Sequence, residues 1–104
     1  MPGWLPKLLT RIHDVAASGK VHLTLKAEQE ALGLGLAPED VRDVIGGLSA
    51  ADSAGRLVSR ATGEWLYVFE PVVGGRRLYV KIALRGDCTV VSCHEDENAH
   101  EDDA

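Results

Sequence analysis

The chain predicts an α+β fold, with N-terminal helices packed on a C-terminal antiparallel β-sheet, and three observations carry that expectation. Apolar residues recur at helical spacing as far as Leu48. After Ser49 the period shortens to the alternation of strands, in runs rich in β-branched and aromatic residues. Those runs are parted by Thr62-Gly63, Gly74-Gly75 and Arg85-Gly86-Asp87, each suited to a hairpin connection. Helices first and hairpin-linked strands second define the class.

Leu5, Leu8, Leu9, Ile12, Val15 and Ala16 make one helical stripe, and Gly19 is the stop signal beyond it, so the first helix is expected from about Pro6 to Ser18. Val21, Leu23 and Leu25 alternate with His22 and Thr24, which predicts a short strand. Lys26 to Leu32 is rich in helix formers and predicts a short second helix. Pro38, Glu39 and Asp40 have the chemistry of a first helical turn, and Val41, Val44, Ile45 and Leu48 are the stripe that buries a third helix. Strands are expected at Leu57 to Ser59, Glu64 to Glu70, Arg77 to Leu84 and Cys88 to Cys93. Residues 1–94 read as a single domain, which 104 residues with 45% hydrophobic content can build. Residues 95–104 lack apolar periodicity and read as an acidic, disordered tail.

No apolar run approaches the ~18 residues of a membrane span, and the N-terminus lacks the pattern of a signal peptide. A soluble, cytoplasmic protein is expected. Cys88 and Cys93 are the only cysteines, and their odd spacing within one strand predicts opposite faces and reduced thiols.

The net charge of −5 conceals an asymmetry. Six of the sixteen acidic residues lie in the last ten positions, which leaves the rest nearly neutral. Between Gly55 and His94, six basic residues (Arg56, Arg60, Arg76, Arg77, Lys81 and Arg85) stand against Glu64, Glu70 and Asp87. An anion-binding surface is expected there. In the strand beginning at Arg77, Leu78, Val80, Ile82 and Leu84 share one face, so Arg77, Tyr79 and Lys81 share the other. If the following turn pairs Arg85 with Cys88, Tyr79 lies opposite His94 and Lys81 opposite Ser92, while Val91 and Cys93 join the core face. Trp65, Tyr67 and Phe69 also share a face, expected to be core rather than a stacking platform. Gly33-Leu34-Gly35 has helix-end chemistry and lacks the context of a phosphate loop. His94, Glu95 and His100 match no zinc spacing, so no metal is expected.

Gly19-Lys20-Val21, Leu34-Gly35-Leu36, Val44-Ile45, Gly47-Leu48-Ser49 with Asp52, Trp65, Pro71, Leu78-Tyr79-Val80-Lys81-Ile82 and Val91-Ser92 follow one another in an order and spacing that resembles the MqsR family of messenger-RNA interferases. The similarity spans about Leu9 to Glu97, and each piece alone is ordinary core and turn chemistry. The resemblance implies a RelE-like fold and an endoribonuclease toxin that cuts messenger RNA at short motifs without metal or cofactor. It also implies a cognate, MqsA-like antitoxin as partner, no membrane, and DNA reached only through that antitoxin. Tyr79 occupies the family's functional tyrosine position, and Lys81 lies in the same strand motif. Arg56, or its neighbour Gly55, falls where the family has a functional lysine, Leu66 where it has a glutamine, and His94 where it has a lysine.

Cleaving RNA without metal requires a base for the 2′-hydroxyl proton, a cation for the charge on phosphorus, and an acid for the departing 5′-oxygen. His94 is therefore the acid/base candidate, Lys81 and Arg56 the phosphate candidates, and Tyr79 the candidate for orientation or proton transfer. Arg76, Arg77 and Arg60 are candidates for holding the flanking RNA backbone. Each has a plainer rival: a strand-end histidine as a simple exposed side chain, and alternating cations as a solvated strand face. A second function class also fits, a catalytically weakened relative that mainly binds an antitoxin in transcriptional control. The acidic tail, starting directly after His94, is either a solubilising end or a competitor of RNA for the basic face. On the second reading, deleting residues 95–104 raises RNA affinity at low salt, and unchanged affinity in a titration disposes of it.

Overall fold

The computed structural model describes residues 2–95. Helix α1 (Leu5–Ala17) is followed by strand β1 (Val21–Leu23), helices α2 (Leu25–Gly33) and α3 (Pro38–Gly46) and a 3-10 turn at Ala50–Asp52. The strands β2 (Ser53–Val58), β3 (Trp65–Phe69), β4 (Val72–Val73), β5 (Arg76–Arg85) and β6 (Asp87–Glu95) complete the α+β order. β6 runs one residue into the segment expected to be tail; the remainder of that segment lies outside the described residues. No described helix is long and apolar enough to cross a membrane.

Local chemistry decides where the helices begin. The Thr24 hydroxyl accepts the Ala27 amide at 3.1 Å, an N-cap that makes Leu25 the first residue of α2 rather than the end of the expected strand. At α3 the Asp40 carboxylate accepts the Ala37 amide at 2.8 Å, with Pro38 in the first turn. α3 stops at Gly46, two residues before the expected end, but Leu48 is still buried. His13 of α1 donates from Nε2 to the Leu48 carbonyl at 2.6 Å and ties the two segments together.

The sheet order is β1-β6-β5-β3-β2, with β4 paired to β5. Every pairing is antiparallel except β1 with β6, so the sheet is mixed, with one parallel pair added at its edge. Leu78, Val80, Ile82, Phe69, Val90, Cys88 and Cys93 form the sheet side of the core, against Leu5, Leu8 and Ile12 of α1, Ala27 and Ala31 of α2, and Val41 and Ile45 of α3. Of the expected aromatic core face, Phe69 is fully buried and Tyr67 half-buried, while Trp65 lies at the sheet margin, exposed.

The β5–β6 hairpin differs from expectation at its turn. Arg85 pairs with Asp87 across Gly86, whose φ of +88° favours glycine, so the strands start one residue out of the expected register. The register shifts between Lys81 and Ile82, because Lys81 faces Ser92 while Ile82 faces Val90, and Val91 is the extra residue of a β-bulge. The shift restores the expected pairs beyond it, Tyr79 with His94 and Lys81 with Ser92. It also changes parity along β6, so that Cys88 and Cys93 both enter the core instead of facing opposite ways. Both thiols are free, and burial pushes them up to about 12 for Cys88 and about 11 for Cys93, so they stay protonated near neutrality.

Candidate active site

The helices cover the Leu78–Val80–Ile82 face, and the opposite face carries the polar group. Tyr79 and His94, directly paired across the hairpin, stack with ring centroids 5.0 Å apart and planes 11° from parallel. Lys81, next on the same face, holds its ammonium 5.7 Å from the Tyr79 ring centroid. Arg77 lies on this face one step beyond Tyr79, exposed, opposite Val72 of β4. His94 Nδ1 is 2.8 Å from the Glu95 carbonyl oxygen. A carbonyl only accepts, so Nδ1 carries a proton, and in the neutral ring Nε2 keeps the lone pair that a general base needs.

A lysine that no local sequence signal marks also reaches this face. Lys26 Nζ of α2 donates to the Ser92 hydroxyl at 2.9 Å and pairs with Glu30 at 3.7 Å. Ser92 is buried, and its partner across the hairpin is Lys81.

Other expected members do not join the group. Arg56 pairs with Tyr67, and Tyr67 with Ile82, so Arg56 lies on the helix-covered side of the sheet and not with Tyr79. Its guanidinium stacks over Trp65 at 3.9 Å and Trp4 at 4.8 Å from the ring centroids. Arg56 therefore stands apart from the Tyr79 group, in a cation–π contact at the sheet margin. Arg56→Ala is expected to cost about 0.5–1 kcal/mol by urea denaturation. An unchanged midpoint would show that the stack carries no stability.

Arg76 also points to the helix side, where its Nη2 donates to the Leu34 carbonyl at the end of α2, 2.6 Å away. It caps a helix terminus rather than extending the Tyr79 face. Arg60 sits exposed in the β2–β3 turn, at the far end of the sheet from Tyr79 and His94. On the polar face itself, β2 contributes Gly55, paired with Val68, which in turn pairs with Lys81. Gly55 has φ +105°, a conformation that disfavours any side chain. Leu66, paired with Leu57, lies buried two residues along from Val68. The β3 side of the face is therefore apolar, and the β5–β6 side carries the charge.

Near the hairpin turn two hydrogen-bonded pairs occupy the same face. His22 Nε2 lies 2.8 Å from Asp87, and Arg85 Nε donates to Glu64 at 3.0 Å. The hydrogen bond from Arg85 holds the Glu64 carboxyl below its ordinary range, and Glu64 in turn raises Arg85. Among the described residues no three His, Cys, Asp or Glu side chains gather as a metal ion would require.

Residues 6–95 match the family model described as motility quorum-sensing regulator, toxin of MqsA. No curated protein matches the chain.

Proposed function

The chain belongs to the MqsR toxin family, a family of toxins paired with the antitoxin MqsA, and from that premise we propose that it is a metal-independent endoribonuclease that cuts messenger RNA at short sequence motifs. The observation that carries the reading is the Tyr79–His94 stack with Lys81 beside it, on a sheet face free of helices among the described residues. His94 Nε2 accepts the 2′-hydroxyl proton, O2′ attacks phosphorus, and the P–O5′ bond breaks. Tyr79 returns a proton to the departing 5′-oxygen, and His94 passes its acquired proton back through solvent. Lys81 offsets the charge that develops on the non-bridging oxygens. Arg77 holds the adjoining backbone by charge. The products are a 2′,3′-cyclic phosphate and a 5′-hydroxyl end.

Leu66 and Gly55 on the same face favour the second reading, a weakened nuclease acting mainly through its antitoxin, since neither can hydrogen-bond a base through its side chain. Incubation of the purified protein with messenger RNA in excess chelator separates the two. Fragments with cyclic phosphate ends support the nuclease, and RNA left intact overturns it in favour of the antitoxin-binding role.

A further inference from the structure

We propose that Lys26 is a second phosphate-binding residue of this face, delivered from α2 and set in place by Ser92 and Glu30. The inference rests on the endoribonuclease reading and adds a residue from a different part of the fold. β1 pairs with β6 only from Cys88 to Val90. Beyond Val90 the edge of β6 is met by α2 and its cap: the Thr24 hydroxyl donates to the Val91 carbonyl at 3.3 Å, and Glu30 Oε1 accepts the Cys93 amide at 3.1 Å. This docking brings Lys26 over the sheet margin to the buried Ser92 hydroxyl, whose partner across the hairpin is Lys81. Lys26 thus contacts the buried hydroxyl of the residue that Lys81 faces across the hairpin, with His94 two residues further along β6, about 7 Å away by strand geometry.

The chemistry suits a backbone phosphate. An ammonium has three donors; Ser92 takes one, and the Lys26 side chain remains 66% exposed, so donors stay open to a ligand. Glu30, the anion paired with Lys26, is anchored through its other oxygen to the Cys93 amide, which fixes its distance from the ammonium at 3.7 Å. Holding the long side chain at both Ser92 and Glu30 means that much of its freedom is lost on folding rather than on RNA binding. The β2 side of the face, with Gly55, supplies no cation, so charge enters from the α2 side.

Binding and cleavage of one RNA are compared for wild type, Lys26→Ala, Lys26→Arg and Lys7→Ala over a series of salt concentrations, with melting temperature as a folding control. Lys7→Ala removes the same charge from the exposed side of α1. Lys26→Ala is expected to raise KM about 5–10-fold with kcat within about two-fold, and to flatten the slope of log affinity against log salt by about 0.7. Lys26→Arg restores both, and Lys7→Ala changes neither. If wild type cuts RNA and Lys26→Ala keeps its KM and salt slope, the Lys26 assignment falls and the nuclease reading stands. If wild type leaves RNA intact, the nuclease reading falls, and the slope in the binding assay alone decides for or against Lys26. Absence of any RNA binding overturns both.

Discussion

His94→Ala is expected to slow RNA cleavage about 10²–10⁴-fold, the range that removal of a positioned general base produces, with little change in KM. The expectation follows from the arrangement of the imidazole. Its Nδ1 proton is committed to the Glu95 carbonyl, and its ring lies flat against Tyr79, so one nitrogen, Nε2, is presented in a fixed direction. Alanine removes the base and leaves the strand pairing intact. Tyr79→Phe keeps the ring stack and removes the hydroxyl that protonates the leaving oxygen, so its loss is expected at the lower end of that range, about 10²-fold, whereas Tyr79→Ala loses both functions. Single-turnover cleavage in chelator reads these effects free of product release. A His94→Ala protein that cuts at the wild-type rate would make this histidine a bystander and leave Tyr79 and Lys81 to carry the chemistry.

Phe69→Ala is expected to produce the largest loss of stability, about 3–5 kcal/mol, a substantial part of the ~5–15 kcal/mol that holds a small domain folded. Phe69 is fully buried on β3, paired with Ser53 of β2 on one side and Val80 of β5 on the other, in the middle of the helix–sheet core. The ring fills space that Val80 and its helix-side neighbours cannot reclaim without moving backbone. Urea denaturation followed by circular dichroism measures it. A loss below about 1 kcal/mol would show that the core closes over the gap, contrary to the packing described.

The helices and the two-sided character of β5 were legible because both depend on local periodicity, which Leu5–Leu8–Ile12 and Leu78–Val80–Ile82 display openly. The bulge was not. Val91 sits in a run of β-branched residues with no glycine to mark an irregularity, so neither the turn register nor the facing of Cys88 and Cys93 can be read from local pattern. The Tyr79–His94 pairing survives because the one-residue error at Gly86 and the extra residue at Val91 compensate. The facing of Arg56 is hidden for a related reason. Residues 55 and 56 face opposite sides of the sheet, and only the pairing with β3 decides that Gly55 takes the polar side. Lys26 carried no local signal, since a lysine in the first turn of an amphipathic helix is an ordinary solvated residue; its proximity to Ser92 depends on contacts between segments 66 positions apart.

The parallel pairing of β1 with β6 has a consequence in time. Lys26 of α2 comes to the polar face only when β6 exists for β1 and Glu30 to hold, and β6 is the last of the described strands to leave the ribosome. A nascent chain can collapse α1 and α3 together early, but Tyr79, Lys81, Ser92 and His94 come together only when the final hairpin closes. The ribosome that synthesises this toxin therefore faces no assembled site until translation of the β6 codons is complete.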